Sequence, residues 1–257
     1  MSPHRNRLLP LSLLFSALMV FVHPTVSATI SDRIPVTDFA SPNLENGAPA
    51  GWEIEKRRGT PVIHLEKLSK VNTMRILPPL PLKKKSGDLY VLKLTSDGRS
   101  AFGIRRPLQV NLREHPFLSW KWAVTKFPSG GDVRVKERDD QALQIYIAFK
   151  APGFPSNPLS TPLLGYIWDT EAPVGTTCRS TQANADKVRY IVIRNKTDRA
   201  GRWYTEKRNV YEDYRMLFRD IRNGEPPEII GIVLYINSQR TQTSAEALIH
   251  DVFFSNS

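Results

Sequence analysis

The sequence predicts a mainly β protein, a jelly-roll-like antiparallel β-sandwich carrying one packed α-helix at about residues 209–222. Three observations predict it. Short runs of alternating polar and apolar residues recur along the chain, separated by Pro, Gly, Asn and Asp, the pattern of strands and turns. One segment alone carries a strong helical period. The single cysteine, Cys178, permits no intramolecular disulfide, so the fold must rest on a packed core, and the chain is long enough to bury one.

The first element is an export signal. His4, Arg5 and Arg7 form a basic start, Leu8 to Val22 an apolar run, and Val26-Ser27-Ala28 a small-residue cleavage site. The run is shorter than the ~20 residues that span a bilayer. No second long apolar run follows. The expectation is a signal peptide at 1–28 and a single β-sandwich domain at 29–257, periplasmic or secreted, with no transmembrane segment after cleavage.

Strands are expected at Val36–Phe39, Trp52–Glu55, Pro61–Leu65 and Leu89–Thr95, the last closed by the turn Ser96-Asp97-Gly98. More follow at Ala101–Arg105, Phe117–Thr125, Leu143–Phe149, Leu163–Trp168, Val188–Arg194, Trp203–Lys207, Ile229–Asn237 and Leu248–Phe254. The helix starts at Asn209, which can cap it, with Glu212 at capping-box spacing. Tyr211, Tyr214, Leu217, Phe218 and Ile221 then share one face, and Asn223-Gly224 with Pro226-Pro227 ends it. Glu66–Asp88, with Lys83-Lys84-Lys85, and Ala151–Pro162, with four prolines, read as loops.

The formal net charge is +11, and loss of Arg5 and Arg7 with the signal leaves +9. A basic exported protein is drawn to anionic surfaces such as lipid head groups, phosphorylated glycans and acidic polysaccharides. No nucleic-acid motif occurs, and export argues against that partner.

Several segments are specific enough to place the chain. Gly51-Trp52-Glu53-Ile54, Leu118-Ser119-Trp120-Lys121-Trp122, Asp139-Asp140-Gln141-Ala142, Gly165-Tyr166-Ile167-Trp168-Asp169, Thr205 to Tyr214 and Ile236-Asn237-Ser238-Gln239 together resemble the bacterial family of domain of unknown function 3047. The resemblance runs from about Phe39 to Phe254 and implies no activity or cofactor. The basic insertion around Lys83–Lys85 departs from its pattern. A more distant resemblance is to the galactose-binding-like jelly rolls of carbohydrate-binding modules, which implies a glycan ligand and a structural cation near Asp251.

Strand parity sorts the candidate site residues, because successive side chains point to opposite faces. Leu118, Trp120, Trp122 and Val124 form an apolar face, read as core. Ligand-binding candidates are Lys121, Gln144, Tyr146, Trp168, Tyr204, Arg208, Tyr235 and Asn237, expected on a second face together with Asp140 and Glu206. Aromatic planes, amides and charges suit a wet groove for a glycan or an anionic envelope component. The alternative is a solvated face of Glu–Arg and Asp–Lys pairs. Arg208 either grips a ligand or pairs with Glu206 or Glu212 to hold the helix start. Glu206 with Asp140 or Asp139 is the only carboxylate pair suggested for acid–base work. The mature histidines, His64, His115 and His250, lack paired-ligand spacing, so no metal is expected from them. Cys178 reads as an idle thiol. The readings left open are a glycan- or envelope-ligand-binding domain, an enzyme on an anionic saccharide, and a structural envelope protein; oligomeric state is not encoded legibly.

Overall fold

Alternation along each strand decides which surfaces meet. The computed structural model describes residues 32–73, 89–151, 161–182 and 185–257. The expected signal peptide, the Lys83–Lys85 triplet and most of the Pro-rich stretch after Ala151 lie outside the described residues. Asp32–Ser257 is one compact unit.

One sheet runs in the order β13 (Tyr204–Asn209), β8 (Phe117–Lys126), β15 (Ala245–Ser255), β6 (Tyr90–Ser96) and β5 (Ile63–Lys67), with β1 (Arg33–Pro35) also paired to β15. The other runs β11 (Thr177–Arg179), β12 (Val188–Arg194), β10 (Leu163–Trp168), β9 (Leu143–Phe149), β14 (Ile229–Asn237), β7 (Ala101–Val110) and β4 (Glu53–Arg58). A small ribbon joins β2 (Leu44–Glu45) to β3 (Ala48–Pro49). The fold is thus the expected mainly β sandwich. Its pairings are antiparallel except for β10 with β12, which run parallel. A parallel pair needs a long crossover; the chain between Trp168 and Val188 supplies it and lays β11 along the outer edge of β12.

The two inner faces share one core. Leu118, Trp120, Trp122 and Val124 of β8 meet Leu143, Ile145 and Ile147 of β9 and Leu164, Tyr166 and Trp168 of β10. Trp120 stacks on Tyr166 at 5.4 Å and Trp122 packs on Trp168 at 5.2 Å. These rings are 0 % exposed, so they anchor the sandwich and present no platform to a ligand.

The helix, α2 (Val210–Leu217), begins as expected: Asn209 Oδ1 accepts the Glu212 N–H at 3.1 Å. It ends earlier than its apolar period. Phe218 leaves the helix and stacks on Tyr214 at 4.4 Å, and the Arg189 guanidinium donates to the Leu217 carbonyl. Arg222–Gly224 forms a separate 3-10 turn. A second short helix, α1 (Leu68–Thr73), lies where a loop was expected. Its Leu68 and Val71 join Val91, Ala123, Trp203 and Leu248 in a small apolar cluster on the outer side of the six-stranded sheet. No helix among the described residues is long and apolar enough to cross a membrane.

Candidate functional site

The outer face of the seven-stranded sheet forms a groove of about 980 Å³. Its floor follows from strand parity: β9 turns Leu143, Ile145 and Ile147 inward and presents Gln144, Tyr146 and Ala148, while β14 buries Ile232, Leu234 and Ile236 and presents Val233, Tyr235 and Asn237. The strand registers align these side chains in rows. One row crosses the sheet as Tyr190, Gly165, Tyr146, Val233, Arg105 and Glu53. The next carries Gln144, Tyr235, Gly103 and Glu55. Tyr146 lies edge-on to Tyr190 at 6.0 Å and to Tyr235 at 6.2 Å. Glycine on the intervening strand makes the first contact possible, because a Cβ on Gly165 would stand 2.7 Å from the Tyr190 ring and 3.2 Å from that of Tyr146.

A wall is built over one side of this floor. The β8–β9 connection brings Val133, and the crossover brings Ala172, onto Ile167, Val192 and Tyr190. Asp169 holds the wall: its carboxylate accepts the backbone N–H groups of Val133, Glu171 and Ala172 at 2.8–2.9 Å. Burial nevertheless pushes its pKa up to about 6.

A hydrogen-bond chain runs along the floor. The Tyr146 hydroxyl donates to Gln144 Oε1, and Gln144 Nε2 donates to Asn237 Oδ1 at 2.5 Å. Asn237 Oδ1 also accepts the Gln141 N–H, and its Nδ2 donates to the Asp139 carbonyl at 2.7 Å and to Asp140 Oδ1 at 3.1 Å. Asp140 Oδ2 accepts the N–H groups of Arg240 and Thr241. Asp139 accepts from Gln141 Nε2 at 3.0 Å and Gln182 Nε2 at 2.6 Å, and Gln182 Oε1 accepts from Arg240 Nη2. Burial raises the pKa of Asp139 against these bonds, and neighbouring Asp140 adds to the rise. Burial also lifts the Tyr190 hydroxyl to about 12, so the floor tyrosines stay neutral donors at ordinary pH. Gln239, another lining residue, has its buried Oε1 without a hydrogen-bond partner among the described residues.

The expected face therefore divides. Gln144, Tyr146, Tyr235, Asn237 and Asp139 line the groove. Trp168 belongs to the core with Tyr166; parity put the two on one face of β10 but could not say which face is inward, because Leu163 and Ile167 on the other face are equally apolar. Tyr204, Glu206 and Arg208 share a face of β13, yet that face turns inward. Tyr204 packs on Trp168 at 5.4 Å, Glu206 accepts Trp122 Nε1 at 3.1 Å and pairs with Arg194, and Arg208 is ion-paired to Asp213. Polar atoms at the edge of the sandwich suit these partners, so the usual rule of apolar-inward fails there. Lys121 lies on the outer face of the other sheet, paired with Asp251 at 3.0 Å. Asp251, expected beside a cation, forms ion pairs with Lys121 at 3.0 Å and Arg33 at 3.3 Å. Among the described residues no group of three or more His, Cys, Asp or Glu side chains is placed to hold a metal ion.

Glu206 of the suggested carboxylate pair is therefore engaged inside the sandwich by Trp122 and Arg194, whereas Asp139 lines the groove. Asp140 is spent on the Arg240–Thr241 turn and on Asn237. Residues the sequence reading passed over include Tyr190, Gln182, Gln239 and Arg240, and the arginines of β4 and β7. Gly165 was the available signal, since a glycine inside a strand marks a close approach.

In structure the chain is similar to a carbohydrate-binding module of the β-sandwich superfamily described for promiscuous specificity, with 12 % identity, TM-score 0.38 and coverage of 84 % of this chain and 62 % of that one. It is also similar to the family 11 carbohydrate-binding module of a cellulosomal cellulase of Clostridium thermocellum, with 8 % identity, TM-score 0.38 and coverage of 88 % and 95 %. The xyloglucanase domain of a Sinorhizobium fredii type three effector, in complex with cellobiose, shows 10 % identity, TM-score 0.42 and coverage of 81 % and 95 %. No curated protein matches the sequence. The family model described as protein of unknown function DUF3047 matches residues 82–253.

Proposed function

Since the chain belongs to the DUF3047 family of proteins of unknown function, we propose from its own geometry that the groove on the seven-stranded sheet binds a glycan of the cell envelope or its surroundings. The observation that carries the reading is the aromatic and amide floor of one groove, where half-buried Tyr146 lies among the largely buried Tyr190, Tyr235, Gln144 and Asn237. Sugar rings present apolar C–H faces and dense hydroxyls, which pair with aromatic surfaces and with amide donors and acceptors. Most floor amides are already committed to one another, so they hold the rings in place before a ligand arrives; such preorganisation favours affinity.

The protein acts after export to the periplasm or beyond, on the signal pattern of Met1 to Ala28. Sequencing the mature amino terminus checks this, with a start at Thr29 expected and a start at Met1 opposed to it. A glycan array on the exported form, with a hydrolysis screen on the same oligosaccharides, tests the function. Binding without turnover is expected. Turnover would favour a second reading, in which Asp139, protonated more readily than an exposed carboxyl, serves as an acid in the groove. Capture of a protein with no glycan bound would favour a structural role.

A further inference from the structure

One end of the groove is basic for a geometric reason. The β4 strand pairs Glu55 with Gly103 and Lys56 with Phe102, and then skips: Arg58, not Arg57, stands opposite Ala101. Arg57 is the extra residue of a β-bulge. A regular pleat would send two consecutive side chains to opposite faces, whereas this bulge brings both Arg57 and Arg58 to the groove. Bulges re-aim side chains in this way beside binding sites.

The two arginines differ from the other cations that line the groove. Arg105 is held by Glu53 at 3.0 Å and Glu55 at 3.5 Å, Arg106 donates to the Val36 carbonyl, and Arg240 is engaged with Gln182. Arg57 and Arg58 are exposed, and their guanidinium groups make no hydrogen bond or ion pair among the described residues. Their donors are therefore free. The positive charge of Arg57 also acts electrostatically on the Tyr235 hydroxyl of the aromatic row, against the larger effect of burial.

We infer that the Arg57–Arg58 bulge is an anion subsite at the end of the groove, so that the preferred ligand is a glycan bearing a carboxylate or phosphate. The inference rests on the glycan-binding reading and adds the substituent. Guanidinium groups grip such oxyanions with paired hydrogen bonds, and two on adjacent residues can share one acid group or hold two successive ones along a chain.

Isothermal titration with tetragalacturonate, its fully methyl-esterified form and a mannose-6-phosphate-bearing oligosaccharide tests this. The ester keeps the sugar rings and removes the charge. The acid is expected to bind at least about ten-fold tighter than the ester, with the advantage shrinking as salt rises. The Arg57→Ala/Arg58→Ala double variant should lose roughly ten- to hundred-fold of the affinity for the acid and little of that for the ester. Arg99→Ala, which removes an exposed charge outside the groove, should change neither. A stronger effect on the phosphorylated ligand than on the uronate would assign the subsite to phosphate. Equal binding of acid and ester, or an unaffected double variant, overturns the subsite and leaves the groove reading standing. If the wild-type protein binds none of the three, the subsite falls for these anions; loss of the groove reading as well would then show as an empty neutral-glycan array.

Discussion

Gly165 stands directly opposite Tyr190, and a Cβ added to Gly165 would lie 2.7 Å from Cδ1 of that tyrosine. The aromatic row of the groove depends on this missing methyl group. Both neighbouring rings lean over the glycine, so nothing else in the row needs to shift for Tyr146 and Tyr190 to meet.

The first prediction follows from that contact. Gly165→Ala should destabilise the protein by about 1–3 kcal/mol through overpacking. It should also weaken glycan binding by more than Ala148→Gly, a change on the same face that removes volume instead of adding it. Urea unfolding and titration with one array-selected oligosaccharide measure both effects. An alanine at 165 that changes neither would detach the ring row from the site.

Asn237 is the second. All of its side-chain hydrogen-bonding capacity is used inside the protein, on Gln141, Gln144, Asp139 and Asp140. Asn237→Ala strands several buried partners and should lower stability by about 2–3 kcal/mol, a fall in Tm of about 5–10 °C. Thermal unfolding checks it. A loss of ligand affinity at unchanged Tm would mean that Asn237 meets ligand directly, contrary to its role here as a brace.

Arg208 supplies the third. Its guanidinium donates to Asp213, which also accepts the Tyr166 hydroxyl at 2.7 Å. Arg208→Ala leaves Asp213, 9 % exposed in its side chain, without its cation. The expected loss is about 1–2 kcal/mol of stability with glycan affinity unchanged. Reduced affinity at full stability would restore Arg208 to the binding site.

How far the sequence could be read is visible in these same residues. Most of the strand runs, the Asn209 cap and the inward tryptophans of β8 were legible because period-2 alternation and capping chemistry are local; Val36–Phe39, expected as a strand, is instead irregular chain just after β1. The groove was half legible: Gln144, Tyr146, Tyr235 and Asn237 share a face because β9 and β14 have an unmistakably apolar side opposite. Parity could not reveal which of the two sheets a strand joins, which misplaced Lys121. Nor could it predict that the polar side of β13 turns inward, because Glu206 and Arg208 find partners there that are distant in sequence. Arg58 escaped notice because a bulge breaks the parity rule and leaves no mark in the sequence itself.

The fourth prediction concerns pH. His250 packs against Trp203 at 5.4 Å on the outer side of the six-stranded sheet, and burial lowers its pKa to about 4. Its unfolded value is near 6.5, so between pH 6.5 and pH 4 the unfolded chain takes up a proton that the folded protein refuses, and stability falls as pH falls. Asp169, with its pKa raised to about 6, acts in the opposite sense: from about pH 4 to pH 6 the folded state holds the extra proton, and stability falls as pH rises. The two slopes partly cancel in the wild-type protein. His250→Phe removes one of them. Relative to wild type it should gain about 2 kcal/mol of stability on going from pH 7.5 to pH 4.5. Urea unfolding of both proteins at the two pH values checks it; a difference independent of pH would show that His250 titrates normally.

Where a glycan contacts the protein is the most direct question. It is answered by amide and side-chain chemical-shift mapping during titration with the tightest oligosaccharide from the array. Gln144 and Asn237 report through their own side-chain amide groups, and Tyr146, Tyr190 and Tyr235 through their rings. The largest shifts should cluster on these residues and on Gln239, with Lys121, Trp203 and His250 on the opposite sheet unmoved. Shifts centred on Lys121 and His250, or on the α2 surface, would move the binding site off the seven-stranded sheet and overturn the groove reading.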